Sequence, residues 1–238
     1  NLLFHGCIPM TEDGDFAQVT FDGECYQGRS LMDHHERMAR RAYFDRDPEA
    51  VDFMWYLWCG ERSPLCGRSI KTFERAFVNS PDAWHEPMNP YYRHINDEAV
   101  CRRILSAFGL DSREAHIING HTPIHVSSGE SPVKANGRLI VIDGGFCKAY
   151  QKATGIAGYT LISNSHGLRI VAHQPFSSLT RVLDANDDIH SDSQILWHNR
   201  RRCLVADTDN GRQIQQRIRT LEELLHAYRS GQLTPRGE

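Results

Sequence analysis

Residues 115–125, AHIINGHTPIH, join a short apolar run to an abrupt stop at Gly-His-Thr-Pro. Ile117 and Ile118 are β-branched, and a β-branched run bounded by Gly and Pro predicts a buried strand. His121 then stands where that strand ends, in a tight turn. Two interpretations are open at this point: the strand delivers a metal ligand, or an ordinary strand ends in a turn.

The first residues of the chain repeat this arrangement. The apolar run LLF precedes His5 and Gly6, so a second predicted strand releases a His beside a Gly. Imidazole is a common ligand of Zn, Mn and Fe, and His residues at neighbouring strand ends can converge on one ion. His5 and His121 are therefore candidate metal ligands, although a single strand-end His is more often structural.

Composition limits the classes of protein that this chain can be. It has 238 residues, of which 40% are hydrophobic, enough to bury the core of one large domain or two small ones. The net charge of −3 gives no sign of a nucleic-acid-binding surface. Seven scattered cysteines without a C-x-x-C pair favour reduced thiols, and no apolar run approaches the ~20 residues of a membrane span. We expect a soluble, cytoplasmic protein that binds neither nucleic acid nor membrane. Because the sequence opens directly on a predicted strand, we also expect it to be a fragment of a longer protein.

Apolar periodicity predicts an α/β chain with a strand-rich second half. Helix-spaced segments are 28–44, 48–60, 69–78, 96–109 and 213–231. Strand-like runs are 1–5, 115–119, 138–143, 158–164 and 167–176, with a weaker one at 203–206. Asn96 is the predicted N-cap of its helix. The last helix has an apolar stripe that we expect to pack on another surface.

The ordered series of motifs resembles a known family. GHTP after an apolar strand is similar to the last metal motif of the calcineurin-like metallophosphoesterases, and FHGCIPM is similar to their preceding His-Gly motif. Together with YQGRSLMDHHERMARRAY, YLWCGERSPLCGR and GESPVKANGRLIVIDGGFCKAYQ, the series resembles the class III fructose-1,6-bisphosphatases of Firmicutes. The resemblance runs from residue 1 to about Phe176 and continues more loosely into the terminal helix.

The resemblance implies a fold and an activity. The fold is the second half of a calcineurin-like αββα sandwich over residues 1–180, with a helical insertion at about 29–108 and an extension with a terminal helix at 181–238. The activity is hydrolysis of fructose 1,6-bisphosphate to fructose 6-phosphate and phosphate in gluconeogenesis, by two-metal in-line attack at a binuclear Mn²⁺ site. His5 and His121 match the two His ligands of the second metal. Some family members carry a G-H-x-H form of the last metal motif, and His125 would be its second His, although it stands one position later here. A polar residue in the loop after the strand explains His125 equally well.

Three earlier family motifs do not occur in this sequence. They are Asp-x-His, Gly-Asp-x-x-Asp and Gly-Asn-His, which supply the first metal's ligands, the bridging Asp, the Asn ligand and the general-acid His. The resemblance therefore implies that the chain is the carboxyl-terminal part of an enzyme and needs the missing amino-terminal part as its partner. We expect the chain alone to be inactive. Association of the chain into a homo-oligomer is a further alternative.

A sugar bisphosphate requires cations for its two phosphates, and Arg can grip each of them bidentately. YLWCGERSPLCGRSIK supplies Arg62, Arg68 and Lys71, and resembles the segment in which related phosphatases keep a phosphate-binding Arg. Arg68 is the first candidate, since a helix amino terminus at Ser69 would add backbone N–H donors. The alternative is an ordinary solvated Arg in a surface loop.

Other candidates are weaker. Arg93, in PYYRHI, and Lys134, shortly after the GHTP motif, can reach a phosphate, although loop packing or solvent exposure explains them as well. Asp143 stands at the end of an apolar strand, ahead of two glycines in VIDGG, and either orients a metal-bound His from the second shell of ligands or caps the following turn. His34 and His35 lie on a charged helix, where we expect one to be solvated and the other packed.

Other functions remain open. Another metallophosphoesterase, either a protein phosphatase or a dinucleoside-polyphosphate hydrolase, shares the same core motifs. A non-catalytic regulatory fragment that binds phosphate, nucleotide or a partner chain is the second alternative.

Overall fold

The structure is a computed structural model that describes residues 1–111, 113–186, 188 and 190–234. It confirms a mixed α/β chain. The helices are α1 Gly28–Arg40, α2 Pro48–Cys59, α3 Thr72–Phe77, α4 Tyr91–His94, α5 Glu98–Ala107, α6 Lys148–Thr154, α7 Leu179–Ala185 and α8 Asp209–Arg229. The strands are β1 Leu2–Leu3, β2 Val19–Phe21, β3 Glu24–Tyr26, β4 Ile117–Asn119, β5 Val133–Lys134, β6 Leu139–Val141, β7 Gly158–Asn164, β8 Gly167–His173 and β9 Ser191–His198.

The central sheet explains why the two strand-end histidines meet. Its order is β1-β4-β6-β5, with β1, β4 and β6 parallel and β5 antiparallel. Leu2 pairs with Ile117, and Ile117 pairs with Leu139. Because β1 and β4 run in the same direction, their carboxyl ends lie at one edge of the sheet, where ligands of such sheets usually bind.

Burial differs strongly across this sheet. Every residue of β4 and β6 is buried, as expected for central parallel strands. In contrast, β1 is an edge strand of the described sheet, and Leu3 is 68% exposed. The prediction of a buried first strand is therefore wrong for Leu3, because nothing in the described residues covers the outer side of β1.

A compact cluster joins the β2–β3 hairpin to α1 and α2. The ring of Phe21 stacks on His34 with centroids 5.0 Å apart, and His35 lies within 5.6 Å of Phe53 and 5.9 Å of Tyr56. Both histidines are buried. The expectation that one of them is solvated is wrong, since the hairpin covers the helix face that the sequence pattern assigned to solvent.

Two predicted helix starts are also wrong. α5 begins at Glu98 and its N-cap is Asp97, whose carboxylate accepts from the N–H of Ala99 at 2.8 Å. α3 begins at Thr72, because the backbone at Arg68 and Ser69 is engaged elsewhere. The Ser69 N–H donates to the Pro87 carbonyl, and Arg68 forms a bridge with Met88.

The chain folds as two compact units. The larger contains residues 1–160 and 171–192, and the smaller contains Leu161–Ile170 and Ser193–Glu238. The predicted boundary at residue 181 stays a prediction. The weak strand expected at 203–206 is wrong, since Val205–Asp207 form a 3-10 turn, while the polar strand β9 was missed. No helix within the described residues is both long enough and apolar enough to cross a membrane.

Candidate metal centre

His5 and His121 meet at the carboxyl ends of β1 and β4. The pairing of these strands continues past their ends, since the Gly120 N–H donates to the His5 carbonyl at 2.9 Å. The two rings lie edge to face with centroids 4.8 Å apart, and His5 Nε2 is 3.0 Å from His121 Nδ1. The two histidines therefore lie side by side at one edge of the sheet, while their role as metal ligands stays a prediction.

The other nitrogen of His121 fixes its tautomer. His121 Nε2 lies 3.0 Å from the Cys66 carbonyl oxygen. A carbonyl oxygen only accepts, so Nε2 carries the proton and the lone pair of a neutral ring is on Nδ1, facing His5. This is the usual arrangement of a metal-binding His, whose second nitrogen donates to a fixed acceptor.

Burial is the main cause that lowers the pKa of His121, with smaller lowering by His5 and Arg68. The hydrogen bond to the Cys66 carbonyl and the charge of Asp143 oppose it. His121 also has a φ of +69°, which is uncommon for a residue other than Gly and is found disproportionately at functional sites. Both features favour a neutral imidazole held in one orientation.

The loop after α2 is held against the end of β1. The Cys7 N–H donates to the Pro64 carbonyl at 3.0 Å, and a Cβ on Gly6 would lie only 2.4 Å from the same oxygen. Ser63 Oγ donates to the Leu57 carbonyl at 2.5 Å, which ties the loop to α2. Gly6 thus permits a backbone approach that places the Cys66 carbonyl beside His121.

The His pair opens into a cavity of about 500 Å³, a size typical of small-molecule sites. Arg68 and Glu86 line it together with the two histidines. Its apolar wall is formed by Met54, Leu57, Trp58, Leu65, Cys66 and Ile70. The cavity therefore combines nitrogen donors, one guanidinium and an apolar side.

Glu86 anchors the cation of this cavity. Its Oε2 lies 3.8 Å from Arg68 Nη1 and 3.7 Å from Arg75 Nη2, and its Oε1 accepts from the Lys71 backbone N–H at 3.1 Å. The Glu86 side chain is 18% exposed, whereas that of Arg68 is 36% exposed. Glu86 thus holds Arg68 in place on one side, while part of the Arg68 guanidinium stays open to the cavity.

The structure does not place the remaining predicted cations along this cavity. Lys71 Nζ bonds Glu74 at 3.1 Å, and Lys134 Nζ bonds Glu130 at 2.7 Å. Arg93 is ion-paired with Glu12. Arg62 donates to the Gln18 carbonyl at 2.9 Å and lines a separate cavity of about 780 Å³ together with Glu12, Asp15 and Asn89. Their roles in substrate binding stay predictions that this arrangement does not favour.

His125 and Asp143 have contacts that fit their structural interpretations. His125 is exposed, and its backbone N–H donates to Glu130 at 2.9 Å. Asp143 Oδ1 accepts from the Gly145 N–H at 2.9 Å, so it caps the following turn. Its charge nevertheless opposes part of the lowering of the His121 pKa, which puts this carboxylate within electrostatic reach of His121.

The donor set fits half of a metal site. Two imidazole nitrogens lie 3.0 Å apart, yet the part of the chain that the structure describes contains no group of three or more His, Cys, Asp or Glu that could hold an ion. A catalytic zinc site, for example, uses three protein ligands. A complete site would therefore need further ligands besides His5 and His121.

Sequence reasoning missed two contributors to the site. The Cys66 carbonyl has no signature because any residue type supplies a backbone oxygen. Glu86 lies in a loop, fifteen positions beyond its backbone partner Lys71, and a single Glu between His85 and Pro87 gives no signal. Glu86 lies close to Arg68, Lys71 and Arg75 because Arg68 pairs in extended conformation with Met88, and the sequence does not show this pairing.

Comparison with known proteins identifies the family. Residues 1–230 match the Firmicute fructose-1,6-bisphosphatases. The fructose-1,6-bisphosphatase class 3 of Clostridium botulinum strain Hall is 51% identical over 244 residues, and that of Clostridium novyi strain NT is 48% identical over 237. These alignments cover 100% and 97% of this chain, which spans only 36% of the length of each relative. No solved structure matches. The chain belongs to the Firmicute fructose-1,6-bisphosphatase family.

Proposed function

We propose that this chain contributes half of the active site of a metal-dependent phosphatase that hydrolyses fructose 1,6-bisphosphate to fructose 6-phosphate and phosphate. The observation that carries the proposal is the 3.0 Å approach of His5 Nε2 and His121 Nδ1 in a cavity that also contains Arg68. The family match favours a sugar bisphosphate over a phosphoprotein or a dinucleotide. In this proposal the β1-β4-β6-β5 sheet is the second half of a calcineurin-like αββα sandwich.

His5, through Nε2, and His121, through Nδ1, would hold a divalent cation, with Mn²⁺ as our candidate. Such an ion would supply charge neutralisation at the phosphate and activation of a nucleophile. The protein's own contribution is orientation. The Cys66 carbonyl keeps the His121 proton on Nε2, and the β1–β4 pairing holds both rings without any ion.

Arg68 would bind a phosphate of the substrate. Its guanidinium is fixed by Glu86 on one side and remains partly open to the cavity on the other. A planar guanidinium presents two parallel N–H donors that match two phosphate oxygens. The wall with Met54 and Trp58 would add apolar contacts beside the bound phosphate.

The remaining ligands would come from the part of the relatives that this chain does not match. Leu3 on β1 is largely exposed, so the outer side of the sheet beside His5 is open to a further segment. Two nitrogen donors alone form a weak site. We therefore propose that this chain has no phosphatase activity by itself, and that the missing amino-terminal part of the enzyme completes both the sheet and the metal site.

Two measurements test the proposal. Electron paramagnetic resonance of Mn²⁺ titrated into the chain should show weak binding that is lost in His5→Ala. His125→Ala is the matched control, since His125 is exposed and outside the pair; equal loss in both variants would contradict the assignment.

Activity is tested by joining this chain to the preceding two thirds of the Clostridium botulinum relative. The joined protein should release phosphate from fructose 1,6-bisphosphate with Mn²⁺, and the chain alone should not. Turnover by the chain alone would overturn the divided site. A preference of the joined protein for a phosphoprotein or a dinucleotide would overturn the substrate.

A further inference from the structure

The terminal helix α8 is almost uncovered. It has 21 residues and a length of about 31 Å, at ~1.5 Å per residue. Its first turn is well anchored, because Thr208 Oγ1 accepts from the Gly211 N–H at 3.0 Å and the Val205–Asp207 turn packs against it. Beyond Gly211, every residue up to Arg229 is exposed except Ala227, which is partly buried. The helix has a fixed start and a free surface.

The free surface includes an apolar stripe with coiled-coil spacing. Successive separations are four, three, four and three residues in the series Ile214, Ile218, Leu221, Leu225 and Tyr228. This is a heptad repeat with Ile218 and Leu225 at a and the other three at d. All five side chains are between 42% and 63% exposed. Leu224, at the g position beside the seam, is also apolar and 41% exposed, so it widens the apolar surface.

The residues beside the seam select one partner and one orientation. Arg217 occupies a g position and Glu222 occupies the following e position. In a parallel pair of identical helices, g faces the next e of the partner, so Arg217 would face Glu222 of the second copy twice by symmetry. Neither side chain has an ion-pair partner within the described residues. An antiparallel pair would instead bring e against e, which sets Glu222 against itself.

We propose that α8 pairs with α8 of a second copy of this chain in a parallel, two-stranded coiled coil over residues 214–228. Ile218 at a and Leu221 at d, in the middle of the seam, form the combination that favours two strands over three or four. The seam is only about two heptads long, so the dimer should be weak and dependent on concentration. This surface shares no residue with the His5–His121 cavity, and the proposal does not depend on the proposed catalytic function.

The first test is sedimentation velocity of the full chain between about 1 and 200 μM. The chain should shift from monomer to dimer, and Leu221→Asp should abolish the shift, since it puts a charge into the seam. Glu222→Arg should weaken dimerisation on the order of tenfold because it faces Arg217 of the partner. Glu223→Arg, a matched change at the outward f position, should have no effect, and Arg217→Glu combined with Glu222→Arg should restore the dimer.

The second test is orientation. Leu221→Cys should form a disulfide-linked dimer on mild oxidation, because identical d positions face each other only in the parallel register; the unsubstituted chain controls for its own exposed thiols. A chain that stays monomeric at 200 μM, or a dimer insensitive to Leu221→Asp, would overturn the proposal. The proposal would also be overturned if a longer protein, with the preceding part of the relatives joined to this chain, buried α8 against that part and remained monomeric.

Discussion

Two histidine pairs in this chain show how surroundings decide what a residue can do. His5 and His121 are 116 positions apart, yet their ring nitrogens lie 3.0 Å from each other at the mouth of a cavity. His34 and His35 are adjacent in sequence and buried among Phe21, Phe53 and Tyr56. The first pair has two neighbouring ring nitrogens and a carbonyl acceptor that fixes the tautomer of His121. The second fills space between a hairpin and two helices, with His34 Nε2 and both His35 nitrogens buried without a hydrogen-bond partner in the described part of the chain.

The sharpest way to break this comparison is to make the same substitution in each pair. His121→Phe should reduce Mn²⁺ affinity at least on the order of 100-fold, because one of two nitrogen donors is lost. His35→Phe should leave Mn²⁺ affinity within about twofold, since that ring contacts other aromatic rings. Isothermal titration of both variants checks this. Equal losses would show that the two pairs are not functionally distinct.

The pH dependence of stability should come from the buried pair. Burial, with a smaller effect of His34, lowers the pKa of His35 from 6.5 to about 4. The unfolded chain therefore binds a proton at a higher pH than the folded chain, so this stabilisation is complete above pH 6.5 and is lost as the pH falls towards 4. At ~1.4 kcal/mol per tenfold change in proton affinity, the loss is on the order of 3 kcal/mol. Urea unfolding at pH 7 and pH 5 should capture about 2 kcal/mol of this loss, because protonation of the folded state is complete only below pH 4.

His35→Phe serves as the control for that measurement. The variant should show a much shallower loss of unfolding free energy between pH 7 and pH 5, because it has no group to protonate at this position. An unchanged slope in His35→Phe would assign the acid sensitivity to other groups.

Gly6→Ala should disturb the ligand pair without removing a ligand. The new Cβ would stand 2.4 Å from the Pro64 carbonyl, so the loop that presents the Cys66 carbonyl must move. We expect a destabilisation of about 2 kcal/mol and a severalfold weaker Mn²⁺ affinity. Gly23→Ala is a suitable control, since a Cβ there meets no atom within 4 Å, although its φ of +82° adds a small strain of its own. Unaltered metal binding in Gly6→Ala would show that the loop does not orient His121.

Glu86→Gln should have the smallest effect. Loss of the carboxylate frees Arg68 to turn towards solvent, and we expect inorganic phosphate to bind about two- to fivefold more weakly, since the charge partner is 3.8 Å away and partly solvated. The change should be absent in Arg68→Ala combined with Glu86→Gln, when measured against Arg68→Ala. Nuclear magnetic resonance titration with phosphate checks both. An effect of Glu86→Gln that persists without Arg68 would assign it to Arg75 or Lys71 instead.

Sequence reasoning succeeded where local chemistry is strong. The β-branched run before His121 and the apolar run before His5 predicted histidines at strand ends, and Arg68 lies in the same cavity as both. It failed where a partner from elsewhere in the chain intervenes. Pairing of Arg68 and Ser69 with Met88 and Pro87 delays α3 to Thr72, and the hairpin buries the face of α1 that looked solvated. Local propensity is a weak determinant when such contacts compete.

By itself, the sequence determined the α/β character, the strand-end position of His5 and His121, and the heptad spacing of α8, because these follow from side-chain periodicity and turn chemistry. Only the tertiary structure decided that β1 and β4 are parallel neighbours, which brings two distant histidines to one edge. It also decided that the Cys66 carbonyl fixes the tautomer of His121, whereas both ring nitrogens of His35 are buried without a hydrogen-bond partner in the described part of the chain. These outcomes depend on contacts between residues far apart in the chain, and a periodic pattern carries no information about which distant backbone will lie beside it.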